Sequence, residues 1–75
     1  MHLTAQQIRA ARAFLDWSQT DLAQKSLVSV RTVKRVEGGG QMISAVELAL
    51  RNAFEAEGIE FTFENGAAGV AIKPR

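Results

Sequence analysis

Apolar residues recur at helical spacing through the first three quarters of the chain, and four segments begin with the same local pattern. In each, an apolar residue precedes a Ser or Thr, and a second apolar residue follows four positions after that hydroxyl, as in Leu3-Thr4…Ile8. This is the arrangement of a helix N-cap with a hydrophobic staple. The pattern predicts four helix starts, with N-caps at Thr4, Ser18, Ser29 and Ser44.

Three of these starts also carry an acidic or amide residue three positions after the hydroxyl, which predicts capping boxes with Gln7, Asp21 and Glu47. The apolar periodicity then predicts helices over about 5–16, 19–25, 30–37 and 45–57. Three glycines at 38–40 should end the third helix, because glycine loses the most backbone entropy on folding. Gly58 is predicted as the left-handed residue that ends the fourth.

After Gly58 the period changes from 3.6 to 2. Apolar and polar residues alternate over 59–64 and again over 70–72, which predicts two strands. Asn65-Gly66 is typical of a hairpin turn, with Ala67 to Gly69 as an alternative extension of that loop and Lys73-Pro74 as the end of the second strand. We therefore predict a mainly α fold, with a four-helix helix-turn-helix domain at residues 1–58 and a C-terminal β-hairpin at residues 59–75.

Length and composition exclude several classes of function. A chain of 75 residues is one small domain, and its core is marginal without further support such as oligomerisation. With one histidine and no cysteine, we expect no metal site, and no cluster of nucleophile and base suggests a catalytic site or a cofactor. No signal peptide is visible, and no apolar run approaches the roughly 20 residues that span a bilayer. We expect a cytoplasmic protein with no membrane partner.

The charge is unevenly distributed, although the net charge is only +1. Residues 25–35 contain four basic residues and no acid, whereas residues 36–65 contain six glutamates against Arg51 alone. A basic segment backed by an acidic one can present a single attractive face to a polyanion. The same distribution also fits two ordinary solvated surfaces.

The second and third predicted helices are short and separated by about four residues, and the third carries the basic residues. Such a corner can offer its second helix to the major groove of DNA. Residues 18–38, SQTDLAQKSLVSVRTVKRVEG, resemble the helix-turn-helix of the lambda Cro and repressor class, also called XRE-like regulators. The likeness lies in Gln-x-x-Leu-Ala, an apolar residue and Ser in the turn, then Thr-Val and Val-Glu-Gly. It extends to residues 3–17 and 44–58, and Gly-Ile-Glu-Phe with its hairpin resembles a subgroup of small bacterial members.

Two positions depart from that family pattern. Leu27 stands in the turn where the family usually has glycine, at a position that commonly needs a positive φ and is costly for leucine. Gly39-Gly40-Gln41-Met42 follow the third helix where the family often has a basic residue and a proline. We therefore expect a turn that is strained or differently shaped, and a more mobile following loop that makes weaker phosphate contacts.

The resemblance implies that the third helix enters the groove. We assign base contacts to the outward residues at its start and one turn later, namely Ser29, Val30, Arg31, Lys34 and Arg35. Arg31 can bond two acceptors of guanine, and Val30 can touch a thymine methyl group. The resemblance implies phosphate contacts for Gln19 and Thr32, and Ser44 completes that set. The alternative is that the basic residues only solvate the helix.

The apolar face of the hairpin is large for so small a chain, and an isolated hairpin is marginal in water. We predict that it forms a homodimer through Ile59, Phe61, Phe63, Val70 and Ile72. The alternative is that the hairpin folds back on the first and fourth helices of its own chain. The expected function is a sequence-specific, double-stranded DNA-binding transcriptional regulator. The competing function is an antitoxin or anti-activator that acts on a second protein.

Overall fold

Four helices and a two-stranded antiparallel hairpin follow one another in a computed structural model that describes residues 2–64 and 67–72. The elements are α1 (Ala5–Phe14), α2 (Gln19–Ser26), α3 (Val30–Glu37), α4 (Ser44–Glu55), β1 (Ile59–Glu64) and β2 (Ala67–Ile72). This confirms the predicted mainly α fold with its C-terminal hairpin. The predicted turn at Asn65-Gly66 and the predicted strand end at Lys73-Pro74 lie outside the described residues. None of the helices in the described ranges is long and apolar enough to cross a membrane.

Three of the four predicted N-caps are confirmed. Thr4 accepts a hydrogen bond from the Gln7 N–H while the Gln7 side chain accepts from the Thr4 N–H, and Ser18 and Asp21 repeat this reciprocal box. Ser29 caps α3 by accepting from the backbone N–H of Thr32. Each cap satisfies an N–H group that the first helical turn leaves unpaired.

The predicted fourth cap is wrong. α4 begins at Ser44 itself, Ile43 occupies the N-cap position, and no side chain bonds there. The supposed box partner Glu47 instead accepts hydrogen bonds from the backbone N–H of Leu3 and from the side chains of His2 and Arg51. The Glu47 carboxylate therefore binds a backbone N–H from a distant part of the chain, and not the N-terminus of its own helix as the local pattern predicted.

Two helices end earlier than predicted, and one ends later. α1 stops at Phe14 instead of Asp16, because Asp16 adopts the left-handed conformation (φ 57°) and the Trp17 N–H bonds the Arg12 carbonyl. This pattern of bonds is a Schellman motif, which closes the last turn of a helix. α4 stops at Glu55 instead of 57, with Gly58 left-handed as predicted, and α2 continues to Ser26.

The core lies between the helices and the inner face of the hairpin. Its centre is an aromatic row in which Trp17 stacks on Phe54 and Phe54 meets Phe61 edge-on, each pair with ring centroids 5.7 Å apart. This row joins the start of α2 to α4 and β1. The buried apolar residues are Leu3, Ile8, Ala11, Leu22, Val33, Val36, Leu50, Phe54, Ile59 and Phe61.

The hairpin packs on the helices of its own chain, with β1 against α4 and β2 against α1. Its register pairs Phe61 with Val70 and Thr62 with Gly69. The buried amide of Gln7 in α1 donates to the carbonyl oxygens of Thr62 at 3.2 Å and Gly69 at 3.0 Å. The three residues 67–69 belong to β2, so the alternative of a loop lengthened by them is wrong.

Candidate nucleic-acid interface

α2 and α3 form a corner whose turn carries the one unusual backbone conformation predicted from the sequence. Leu27 lies in the left-handed region (φ 61°, ψ 22°), and its side chain is 92% exposed. The buried Ser26 hydroxyl donates to the Leu22 carbonyl and accepts from the Val28 N–H, which fixes the turn on both sides. A left-handed non-glycine residue is strained by about 1–2 kcal/mol, and an exposed leucine gains little packing in return. The predicted positive φ at Leu27 is therefore confirmed.

α3 has a buried side and a charged side. Val33 and Val36 are buried against the core, while three basic side chains on the opposite side are exposed, namely Arg31, Lys34 and Arg35. We call these three residues the basic face. In the described part of the chain none of them forms a salt bridge; the ion pairs there involve His2, Arg12 and Arg51. The basic face is thus available to an external anion.

The start of α3 adds polar and apolar groups beside the basic face. Val30 is 38% exposed. The hydroxyl of Ser29 accepts from the Thr32 N–H at 3.1 Å and donates to the Thr32 hydroxyl oxygen at 2.9 Å. This arrangement leaves the hydrogen of the Thr32 hydroxyl free to donate outward. The structure therefore brings all five predicted base contacts and Thr32 to one short helix and its cap.

The other two predicted phosphate contacts lie in different surroundings. Gln19, the first residue of α2, donates its side-chain amide to Glu37 at 3.2 Å, so one of its two amide hydrogens is engaged inside the protein. Ser44 is exposed at the start of α4, where it lines a shallow groove of about 150 Å³ with Glu47, Leu48 and Arg51. Of these two, only Gln19 belongs to the α2–α3 corner.

A buried ion pair holds the far end of α3 in place. Arg12 forms two parallel hydrogen bonds to the Glu37 carboxylate, at 3.0 and 3.1 Å, and a third to the Trp17 carbonyl at 3.0 Å. Arg9 donates to the backbone carbonyl of Glu37. Together with Gln19, these contacts tie α1, α2 and α3 together behind the basic face.

The sequence alone did not predict this network. Glu37 entered only as part of the resemblance to a family motif, and Arg12 had no predicted role. A usable signal was present, because Arg9 and Arg12 lie three residues apart on one face of α1 and Glu37 is the single acid of α3.

The three glycines after α3 form a defined cap. Gly39 is left-handed (φ 93°), its N–H bonds the Val36 carbonyl, and the Gly40 N–H bonds the Arg35 carbonyl. These are the two bonds of a Schellman motif. A Cβ atom at Gly40 would lie 2.6 Å from Cγ of Arg35 and 2.8 Å from its carbonyl oxygen. The loop backbone therefore packs directly against the stem of one basic-face residue.

No protein-family model and no curated protein matches this chain. The resemblance of residues 18–38 to the XRE-like class stays a hypothesis that rests on those residues and on the geometry of the corner they form.

The five residues predicted to form a dimer are distributed between the core and the surface. Ile59 and Phe61 are buried in the core of their own chain, Phe63 and Val70 are partly buried, and Ile72 is 42% exposed. The packing of β1 on α4 accounts for the burial of the first two. Only the β2 end of the predicted dimer face is open to another molecule.

Two carboxyl groups near helix starts have shifted pKa values. The backbone N–H of Ser18, followed by its hydroxyl, lowers the pKa of Asp21. Burial raises the pKa of Glu47, but hydrogen bonds from His2, the Leu3 N–H and Arg51 outweigh it, so the net pKa is lowered. Both groups are accordingly held in the charged form.

Proposed function

We propose that this protein is a sequence-specific, double-stranded DNA-binding transcriptional regulator that inserts α3 into the major groove. The observation that carries the proposal is the basic face: Arg31, Lys34 and Arg35 are exposed, and no salt bridge within the described residues neutralises them. They project from the second helix of a short, braced corner, which is the arrangement that docking in the major groove requires.

Each exposed group on α3 has a distinct role in this proposal. Arg31, at the front of the helix, donates two hydrogen bonds to the O6 and N7 atoms of a guanine, and Val30 contacts a thymine methyl group. Lys34 and Arg35, one turn later, reach adjacent base edges or phosphates. Phosphate contacts from Thr32 and the N-termini of α2 and α3 set the register on the duplex, because helix N-termini attract anions.

The proposal includes a homodimer that reads two half-sites, located in the cytoplasm and needing no cofactor. A dimer places two copies of α3 on one duplex, and two-fold symmetric proteins bind correspondingly symmetric sites. The small core favours such an assembly, since a chain of 75 residues gains stability from a second copy.

The test is a comparison of Arg31→Ala with Lys25→Ala on a site selected from a random duplex library. Both variants lose one positive charge, but Lys25 lies on α2 with its ammonium 6.0 Å from the Trp17 ring. We expect Arg31→Ala to weaken binding to the selected site by about 1–3 kcal/mol and to abolish preference over random DNA. Equal losses on selected and random duplexes would assign Arg31 to phosphate. No DNA binding by the wild type at low salt would refute the proposal.

Salt dependence provides a second test that needs no known site. Because Lys34 and Arg35 of two protomers displace condensed counterions, affinity should fall steeply and linearly on a logarithmic scale as salt rises. Replacing both residues with alanine should make that slope shallower. A wild-type slope near zero would count against DNA as the main partner.

A second candidate function is an antitoxin or anti-activator that binds another protein, and the exposed Leu27 favours it. Leu27 keeps a strained left-handed conformation although its side chain is 92% exposed and packs little within its own chain, and a partner protein that buries this side chain would supply the missing packing. Leu27→Gly should leave the free energy of unfolding unchanged or raise it by about 1 kcal/mol, because glycine adopts the left-handed conformation without strain. If the product of the adjacent reading frame copurifies with the wild type and not with Leu27→Gly, this function is supported. Unchanged copurification would exclude Leu27 as the contact.

A further inference from the structure

The two strands of the hairpin differ in the charge they carry. β1 contains Glu60 and Glu64, whereas β2 has no charged residue from Ala67 to Ile72. Four of its six residues are exposed, namely Ala67, Ala68, Ala71 and Ile72. Open strand edges are commonly protected by charged residues or proline, because an unprotected edge pairs with other chains. Between Ala67 and Ile72, β2 carries neither protection, and Lys73 and Pro74 follow it in the sequence.

One side-chain contact establishes which backbone groups of β2 point outward. Nε2 of Gln7 lies within hydrogen-bond distance of the carbonyl oxygens of both Thr62 and Gly69, so these oxygens lie between the strands. In an antiparallel ladder only a hydrogen-bonded pair holds its carbonyls there, and the next pairs direct theirs to the outer edges. The N–H and C=O groups of Ala68 and Val70 therefore point away from β1.

The outer edge of β2 is not covered within the part of the chain that the structure describes. No backbone hydrogen bond from another described segment reaches it. α1 lies against the face of the sheet, as shown by the reach of Gln7 into the space between the strands. Among residues 2–64 and 67–72, no group pairs with the donors and acceptors of this uncharged edge.

We propose that this edge pairs antiparallel with β2 of a second copy, about a two-fold axis at Val70, to form a four-stranded sheet. In this register the exposed Ala68 of each protomer lies opposite Ile72 of the other, so a small residue meets a large one across the interface. The two copies of Val70 meet on the axis. Two copies of the strand therefore meet without charge repulsion, and their side chains are complementary in size.

The other pairings of the hairpin are less favourable. Pairing β1 with β1 would bring Glu60 and Glu64 of both copies onto one face, where like charges repel. Pairing β2 with β1 of the next copy would leave a free edge at each end and build an open filament. Pairing β2 with β2 buries the uncharged edge of both copies and gives a closed dimer instead of a filament.

This inference deepens the proposed homodimer and rests on it, but it changes the contact surface. Ile59 and Phe61 stay in the core of each protomer, and the edge groups of β2 replace them as the interface. The test measures self-association without DNA, so its outcome is separate from that of the DNA-binding experiment.

The first measurement is sedimentation of the full chain at about 100 µM, with Ala68→Glu compared with Ala67→Glu. Both positions are exposed on β2, but only Ala68 belongs to the row that meets Ile72 of the partner. We expect a wild-type dimer, a dissociation constant raised at least tenfold by Ala68→Glu, and less than threefold by Ala67→Glu. Melting curves of both variants verify that each is folded. A monomeric wild type, or equal effects of the two variants, would overturn the inference.

The second measurement is disulfide trapping. Because the chain has no cysteine, an introduced cysteine can form a disulfide only with the same residue of another copy. Val70→Cys should form a covalent dimer in mild oxidant, since antiparallel partners in a hydrogen-bonded pair have Cα atoms about 5.5 Å apart. Ala71→Cys should not, because residue 71 lies on the other face and opposite residue 69. Equal trapping of the two variants would contradict an axis at Val70. A trapped dimer that fails to bind DNA would refute the proposed function and leave this interface intact.

Discussion

Two buried glutamates, Glu37 and Glu47, hold opposite parts of this small protein, and they are held in different ways. The Glu37 carboxylate is 4% exposed and is bound in fork geometry by Arg12, which is itself largely buried. The Glu47 carboxylate is 11% exposed and is bound by Arg51, by the Leu3 N–H and by His2, whose side chain is 83% exposed. One acid is surrounded by helices, while the other is partly closed by a chain end.

The different burial of these two glutamates makes one region of the protein more firmly held than the other. Glu37 links α1, α2 and α3 directly behind the basic face. The helix that carries the proposed DNA-binding surface is therefore held by the Arg12–Glu37 ion pair, which is largely shielded from water. Glu47 fixes the segment before α1 to α4, on the side of the groove lined by Ser44 and Leu48. A buried pair resists removal of one partner more strongly than a pair that solvent can replace.

Removing Glu37 should have the largest effect. Glu37→Ala leaves Arg12 charged and largely buried without its partner, and we expect a loss of about 3 kcal/mol of unfolding free energy. Denaturant titration measures this loss. The control is Glu60→Gln on the exposed face of β1, which should change stability by less than about 0.5 kcal/mol. A loss below about 1 kcal/mol for Glu37→Ala would show that water replaces the carboxylate.

Removing Glu47 should have a smaller effect. Glu47→Ala leaves the buried N–H of Leu3 without an acceptor, while Arg51 can turn to solvent. We expect a loss of about 2 kcal/mol, mostly from that single unsatisfied donor. Amide hydrogen exchange at Leu3 should accelerate in the variant relative to the wild type. If Glu47→Ala proves more destabilising than Glu37→Ala, the contrast between the two acids is reversed.

The stabilisation from Glu47 should depend on pH. Its pKa is lower in the folded protein than the ordinary value of 4.5, so the charged form stabilises the fold above that pH. The advantage of the wild type over Glu47→Gln should be complete near neutral pH and should shrink as pH falls through the folded pKa. Thermal melts of both proteins at several acidic pH values test this. A constant difference across the acid range would contradict a lowered pKa.

Removing His2 should have the smallest effect. Its side chain is mostly in solvent, and exposed ion pairs contribute between zero and about 1 kcal/mol. We expect His2→Ala to change the unfolding free energy at neutral pH by less than about 0.5 kcal/mol. A loss comparable to that of Glu47→Ala would mean that the imidazole, and not the Leu3 N–H, is the main partner of this acid.

These two acids also show how far local sequence patterns extend. Three capping interactions were predictable because donor and acceptor lie three residues apart, and the left-handed Leu27 followed from the resemblance to a family that usually has glycine at this position of the turn. The same pattern at Ser44 and Glu47 failed because a donor 44 positions away competes for the carboxylate. The Arg12–Glu37 pair has no local pattern at all, since 25 residues separate the partners.

The hairpin shows the same limit at the level of a surface. Alternation predicted both strands and the apolar face, but alternation cannot say what covers that face. In the structure α1 and α4 pack against it, and within the described residues no other segment bonds to the outer edge of β2. Of the proposed DNA contacts, the five on α3 and its cap followed from the family resemblance together with the helical spacing of the outward residues, whereas the hydrogen bond between Gln19 and Glu37 depends on how the helices pack.

The aromatic row in the core gives the protein a built-in optical signal. The chain has one tryptophan and no tyrosine, so Trp17 alone dominates absorption and emission near 280 nm excitation. Its indole stacks on Phe54 and lies near Lys25, directly before α2. Unfolding separates the rings and movement of the corner shifts the cation, so fluorescence of the unlabelled protein can report both events. Neither measurement requires a dye on the surfaces that are proposed to contact DNA or a second copy.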